Sequence, residues 1–217
     1  MYIPMLGLDL REHFKQLNNP EKKTLSPLAQ VLLLQYMNEM LDSPLTTKYL
    51  VQTTNYSPMT VNRAFKQLAE YKFARLIKVK REKQLIISED KATLWQKSLK
   101  HLKSPIKKTL LLDRSFNDCK FYRAGEMALS EQSMLISPIV SQFAIGQKQW
   151  QKIKDQYHED LEGKAKLEIW YYNPGLISQI NYVDKYSLYL SLSHNGEKKD
   201  EKKGERIKMA LEELISA

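Results

Sequence analysis

The sequence predicts a mixed α+β fold in two parts, and three observations carry that prediction. Residues 46–88 read as a short helix, a four-residue turn, a second helix and a basic β-hairpin, the layout of a winged helix-turn-helix. Residues 43–110 hold fifteen Lys/Arg against four Asp/Glu, a local excess of +11. Residues 1–42 (four against five) and 111–217 (fifteen against sixteen) each come to −1, which completes the chain's +9. Beyond about residue 104, strand-like and helix-like stretches alternate, the pattern of an α+β unit. The expected division is 1–104, an N-terminal helix plus a DNA-binding winged helix-turn-helix with a basic linking helix, and 105–217, a mixed α+β domain.

The 217 residues suit one large or two ordinary domains. A hydrophobic fraction of 42% with 10% aromatic residues is a globular composition. The longest apolar run, Val31-Leu32-Leu33-Leu34, is far too short to span a bilayer, and no basic segment followed by an apolar one opens the chain. A cytoplasmic protein without membrane attachment is expected. The single cysteine, Cys119, excludes an intrachain disulfide framework and suits a reducing compartment. His13, His101, His158 and His194 stand far apart and no His/Cys pair has zinc-ligand spacing, so no metal or cofactor is expected.

In chain order, Leu6, Leu10, Phe14 and Leu17 recur at helical spacing, which predicts a helix over 1–17, broken by Asn18-Asn19-Pro20. Ser26-Pro27 opens the next helix, with Ser26 as N-cap and Pro27 at the first helical position, where its missing N–H costs nothing. Leu28, Val31, Leu32, Leu33 and Leu34 cover much of this helix, the mark of a central core element, and Asp42-Ser43-Pro44 ends it. Residues 46–53 form the first helix of the pair, with Tyr49 and Leu50 inward. Ser57 caps the second helix and Pro58 starts it; Val61, Ala64, Phe65 and Leu68 then fall on one buried stripe. Thr60, Asn62, Arg63, Lys66 and Gln67 lie opposite. Strands are predicted at 76–80 and 84–88, with Arg81-Glu82-Lys83 as the tip.

Ser88 then caps a helix carrying Glu89 and Asp90 in its first turn, with Trp95, Leu99 and Leu102 as its stripe and Ser104-Pro105 as its end. In the second part, 121–124 reads as a strand end, 125–135 as a helix, 139–145 and 166–172 as strands, and 183–192 as a short apolar helix. Residues 194–205 read as a charged loop or helix start, and 206–215 as an amphipathic helix.

In a winged helix-turn-helix the second helix enters the major groove and its N-terminal residues meet base edges. Ser57, Met59, Thr60, Asn62, Arg63 and Lys66 occupy that end. Arg binds guanine and Asn binds adenine through paired hydrogen bonds, so Arg63 and Asn62 are the candidate base readers. Ser57, Thr60 and Lys66 are candidate phosphate ligands. Lys78, Lys80, Arg81 and Lys83 on the hairpin would meet the DNA backbone or the minor groove. The ordinary alternative is a solvated helix face with solvated lysines; the coincidence of charge and motif favours double-stranded DNA as partner.

Gly125 permits a sharp strand-to-helix turn. Glu126 and Glu131 are candidate paired carboxylates, yet no His, Cys or metal-ligating partner is recognisable beside them. There is no Gly-rich phosphate loop and no Gly-x-Ser-x-Gly elbow, so no enzymatic activity is expected. Trp150, Trp170, Tyr171 and Tyr172 are expected in the core, with a ligand pocket as the alternative.

The segments LSPLAQVLLLQYM and LTTKYLVQTTNYSPMTVNRAFKQLAEYKFARLIKVKREKQLIIS, within 25–88, resemble winged helices of the MarR-like type. YRAGEMALSEQSML (122–135) is similar to the Gly-x-x-Ala-Leu segment of AbiEi-type antitoxins. VDKYSLYLSL (183–192) with ERIKMALEELI (205–215) resembles the end of regulators that carry such a domain. The resemblance implies a DNA-binding transcriptional regulator with a protein partner bound through 111–217. It also implies an alternative, the antitoxin of a type IV toxin–antitoxin pair that neutralises a nucleotidyltransferase-type toxin and autoregulates its operon. The Gly-Ser…Asp-x-Asp pattern of those toxins is missing here. A small-molecule-sensing repressor is the third reading.

Overall fold

The computed structural model describes residues 2–3, 8–9, 24–80, 82–113, 121–160, 162–178, 181–193 and 201–216. The chain is mixed α+β. It opens with two short antiparallel strands, β1 (Tyr2–Ile3) and β2 (Leu8–Asp9), where the apolar spacing predicts a helix. Pro4 and Gly7 stand between them in sequence; both disfavour a helix and favour turns, which outweighs the spacing of Leu6 and Leu10. The rest of the expected 1–17 helix lies outside the described residues.

Helix α1 (Pro27–Met37) begins as expected, with Ser26 extended at the N-cap. The Ser26 hydroxyl makes no cap bond; its backbone N–H instead donates to Gln67 Oε1 at 2.9 Å. The helix ends earlier than expected. Glu39 turns left-handed at φ 60°, the Met40 N–H reaches Gln35 O at 2.9 Å and the Glu39 N–H reaches Tyr36 O at 3.1 Å. This is a Schellman closure without its usual glycine, so the sequence does not announce it. Leu28, Ala29, Gln30, Val31, Leu32, Leu33, Leu34, Gln35 and Met37 are all buried. A helix covered on nearly every side lies between layers rather than on one.

The first layer holds β3 (Leu45–Thr46), α2 (Thr47–Thr54), α3 (Pro58–Glu70), β4 (Arg75–Val79) and β5 (Glu82–Ile86). The strands form an antiparallel sheet in the order β3-β5-β4. Pairing of Val79 with Glu82 leaves two residues to connect β4 and β5, a tighter tip than the expected 81–83. Lys80 adopts φ 55°, the left-handed conformation that two-residue hairpins require. Helix α4 (Lys91–Ser98) is capped by Asp90 rather than Ser88, Oδ1 accepting from the Thr93 N–H at 2.9 Å.

The second layer is built on a four-stranded sheet, β6 (Ile106–Leu112), β7 (Tyr122–Arg123), β8 (Ser141–Gly146) and β9 (Ala165–Trp170), in the order β6-β9-β8-β7. Strands β8 and β9 are parallel and the other pairs antiparallel. Its helices are α5 (Gly125–Glu131), α6 (Gln147–Ile153) in the β8–β9 crossover, α7 (Lys185–Ser193) and α8 (Glu201–Ser216). Helix α5 stops short of residue 135. Gly125 sits at φ 56°, and a Cβ there would collide with Gln142 Oε1. That oxygen accepts the Glu126 N–H at 3.0 Å, so the missing side chain makes room for the group that caps the helix.

The two faces of this sheet carry different cores. Leu112, Phe143, Trp150, Leu167 and Ile169 form a small cluster on one. On the other, Trp170 joins Tyr172, Val183, Leu188 and Leu211 in a cluster that runs without interruption into α1, Phe65 and Trp95. Gln35 Nε2 donates to Leu176 O at 2.6 Å, which ties α1 to the second layer, and Gln30 Nε2 to Lys103 O at 2.9 Å, in the stretch that leads into β6. Of the four aromatics that a pocket could have used, Trp150, Trp170 and Tyr172 are buried core residues. Tyr171 is partly exposed, with the Lys103 ammonium 4.4 Å from its ring centroid.

Candidate nucleic-acid interface

Helix α3 is placed by its two faces. Val61, Ala64, Phe65 and Leu68 are buried. Ser57 is extended at the N-cap and its Oγ accepts the Thr60 N–H at 3.3 Å; the two hydroxyls lie 2.9 Å apart. The opposite face projects outward: Met59 is 71% exposed, and Ser57, Arg63 and Lys66 are exposed with it. On α2, Leu50 and Thr54 take the buried side. Tyr49, expected inward, is 48% exposed, because the turn of the short helix that buries Leu50 carries its neighbour out.

The candidate residues are not equally available. The Asn62 side chain is half-buried; its Nδ2 donates to Pro58 O at 2.9 Å and its Oδ1 accepts from Thr47 Oγ1 at 3.4 Å. It holds α2 to α3. Gln67 is likewise engaged, accepting from Ser26 and donating to Thr24 O at 3.1 Å. Lys66 lies 3.7 Å from Glu70. Arg63, Lys78, Lys80 and Lys83 are exposed, and none has an ion-pair partner among the described residues. Lys78 stands directly across the hairpin from Lys83. Like charges in that position destabilise a strand pair. Arg81 lies outside the described residues.

Lys148 of α6 also reaches this end of the molecule. Its ammonium is 5.2 Å from the ring centroid of Tyr56, the residue before Ser57, and burial raises the Tyr56 phenol above its ordinary pKa. Nothing in the sequence signals this approach, since Lys148 lies far outside the basic stretch 43–110, in a half of the chain that is near neutral as a whole.

A cleft of about 650 Å³ separates α4 from α7 and α8, with Asn38, Glu39, Lys91, Trp95, Tyr186 and Tyr189 on its walls. The Trp95 ring lies 4.9 Å from Tyr186 and 5.4 Å from Tyr189, and Lys91 pairs with Glu39. Three carboxylates of the second layer have defined partners. Glu131 pairs with Arg123 at 2.7 Å. Asp184 caps α7, Oδ1 accepting from the Ser187 N–H at 3.0 Å and from Asn38 Nδ2 at 3.2 Å, while Oδ2 has no hydrogen-bond partner among the described residues. Glu168 accepts the Trp170 indole N–H at 3.1 Å, with Lys166 3.7 Å from its other oxygen. Burial raises the pKa of both acids.

Among the described residues, no three His, Cys, Asp or Glu gather as a metal site, and no helix is long and apolar enough to cross a membrane. Comparisons with known protein families, curated proteins and solved structures return no match for this chain.

Proposed function

We propose that the protein is a sequence-specific DNA-binding transcriptional regulator, and that α1 to β5 act as a winged helix-turn-helix of the MarR-like type. One observation carries the reading: exposed Arg63, Lys78, Lys80 and Lys83 have no ion-pair partner among the described residues, and Lys78 and Lys83 stand directly across the hairpin from each other. A polyanion lying along the hairpin would turn that repulsion into attraction. In this reading Arg63 meets a base edge, Met59 offers an apolar contact to a thymine methyl, and Ser57, Thr60, Lys66, Lys78, Lys80, Arg81 and Lys83 meet the backbone. Asn62 serves as a positioning residue, since both ends of its amide are already engaged.

Selection of the full-length protein's preferred site from a random duplex pool, followed by fluorescence anisotropy, tests this. Arg63→Ala should cost about 1–3 kcal/mol on the selected site and relax preference at one base position. Lys83→Ala should weaken all duplexes alike. No enrichment and no salt-dependent binding would end the proposal.

A second observation favours a protein partner for the C-terminal part. Met134, Ile136 and Ile139, between α5 and β8, are fully or almost fully exposed. Grouped apolar side chains in water mark contact surfaces. This supports the partner-binding reading and, with Met134 inside the segment that resembles AbiEi-type antitoxins (122–135), the antitoxin alternative. Replacing Met134 and Ile139 by serine should abolish co-purification of the partner while leaving DNA binding intact. Unchanged co-purification would refute it. The ligand-sensing alternative would use the Trp95 cleft.

A further inference from the structure

We propose that α6, in the C-terminal part, continues the DNA interface: Lys148 and Lys152 bind backbone phosphates beside the N-terminal end of α3. The inference rests on the DNA-binding reading above and extends it to a segment outside the basic stretch of the sequence.

Helix α6 is fixed by Trp150, which is buried in the smaller core cluster and lies tilted against Tyr157 with ring centroids 5.7 Å apart. With Trp150 inward, Lys148, Gln149, Gln151 and Lys152 are exposed. Lys148 and Lys152 are four residues apart, so they share a face of the helix. Residues 147–154 contain three lysines and no acid, and neither Lys148 nor Lys152 has an ion-pair partner among the described residues. The Tyr56 ring beneath the Lys148 ammonium holds it beside the turn that leads into α3. A duplex whose major groove receives α3 would bring its sugar–phosphate backbone past that turn, where Ser57, next to Tyr56 in the chain, and Lys148 are both exposed. The ligand class is therefore a phosphodiester backbone, bound without base preference.

The test measures binding of the full-length protein to a mixed-sequence duplex by anisotropy across a series of KCl concentrations. Removing one phosphate-neutralising cation should reduce the log–log salt slope by about 0.9. Lys148→Gln should therefore lower the slope by about one and Lys148→Gln/Lys152→Gln by about two, with unchanged melting temperatures. Lys148→Arg should retain the wild-type slope. An unchanged slope in the double variant, while Lys83→Gln lowers it, would overturn the inference and leave the DNA-binding reading standing. Weaker binding with an unchanged slope and a lowered melting temperature would show that Lys148 only supports Tyr56, which also overturns it. Absence of duplex binding by the wild type would remove both.

Discussion

The two layers handle charge in opposite ways. Around α3 and the hairpin, Arg63, Lys78 and Lys83 lie outside and have no ion-pair partner among the described residues. Around β9 and α7, acids lie inside: Asp184 has no cation paired with it among the described residues, and Glu168 has only Lys166 near. Water supports an exposed cation at little cost, so it stays charged and ready for an anion. A carboxylate taken out of water yields its charge instead, and burial pushes both Asp184 and, despite the nearby Lys166, Glu168 in that direction. Charge without a partner thus points to binding in one layer and to pH-dependent stability in the other.

The largest expected effect tests the framework on which the exposed cations depend. Phe65 is fully buried, so Phe65→Ala should cost about 3–5 kcal/mol through the cavity it leaves. Chemical denaturation measures this, and DNA binding should fall only in step with unfolding. A stably folded variant that had lost DNA binding alone would place Phe65 on the wrong side of α3.

Asp184→Asn probes the opposite layer. It keeps the oxygen that caps α7 and removes the charge. A raised native pKa means the folded state holds the proton more tightly than the unfolded one. The contribution is complete below the unfolded value, about 3.9, and is lost as pH rises through the raised one. The asparagine variant should therefore melt above the wild type at pH 7, and the gap should close toward pH 4. A gap independent of pH would mean that Asp184 stays ionised.

The smallest effect has a distinctive sign. Lys83→Thr removes the repulsion across from Lys78 and should stabilise the fold by about 0.2–1 kcal/mol while weakening DNA binding. Loss of both stability and affinity would show that the lysine pair is not in conflict.

What can be read from the sequence is local. The Ser57-Pro58 start of α3 and its buried stripe are written in adjacent residues, and the strand near 166–172 is marked by closely spaced Leu167, Ile169 and Trp170. Features set by distant contacts stay hidden. The engagement of Asn62 depends on Thr47 across a turn, and the place of Lys148 depends on Tyr56 in the other layer. Strand β6 reads as part of a basic linker because Lys107 and Lys108 occupy its exposed edge, where lysines discourage pairing with other chains. The stop of α1 is silent in the sequence because Glu39 fills a position that glycine usually signals.

Helix α1 contributes side chains to both layers at once, through one uninterrupted core and through the amide of Gln35. Neither layer can melt without surrendering a wall of the other. Denaturation followed by tryptophan fluorescence and by helical circular dichroism should trace one superimposable transition. An operator duplex gripped at α3 would then raise the melting point of the C-terminal sheet as well, because mass action on a cooperative unit is felt throughout it.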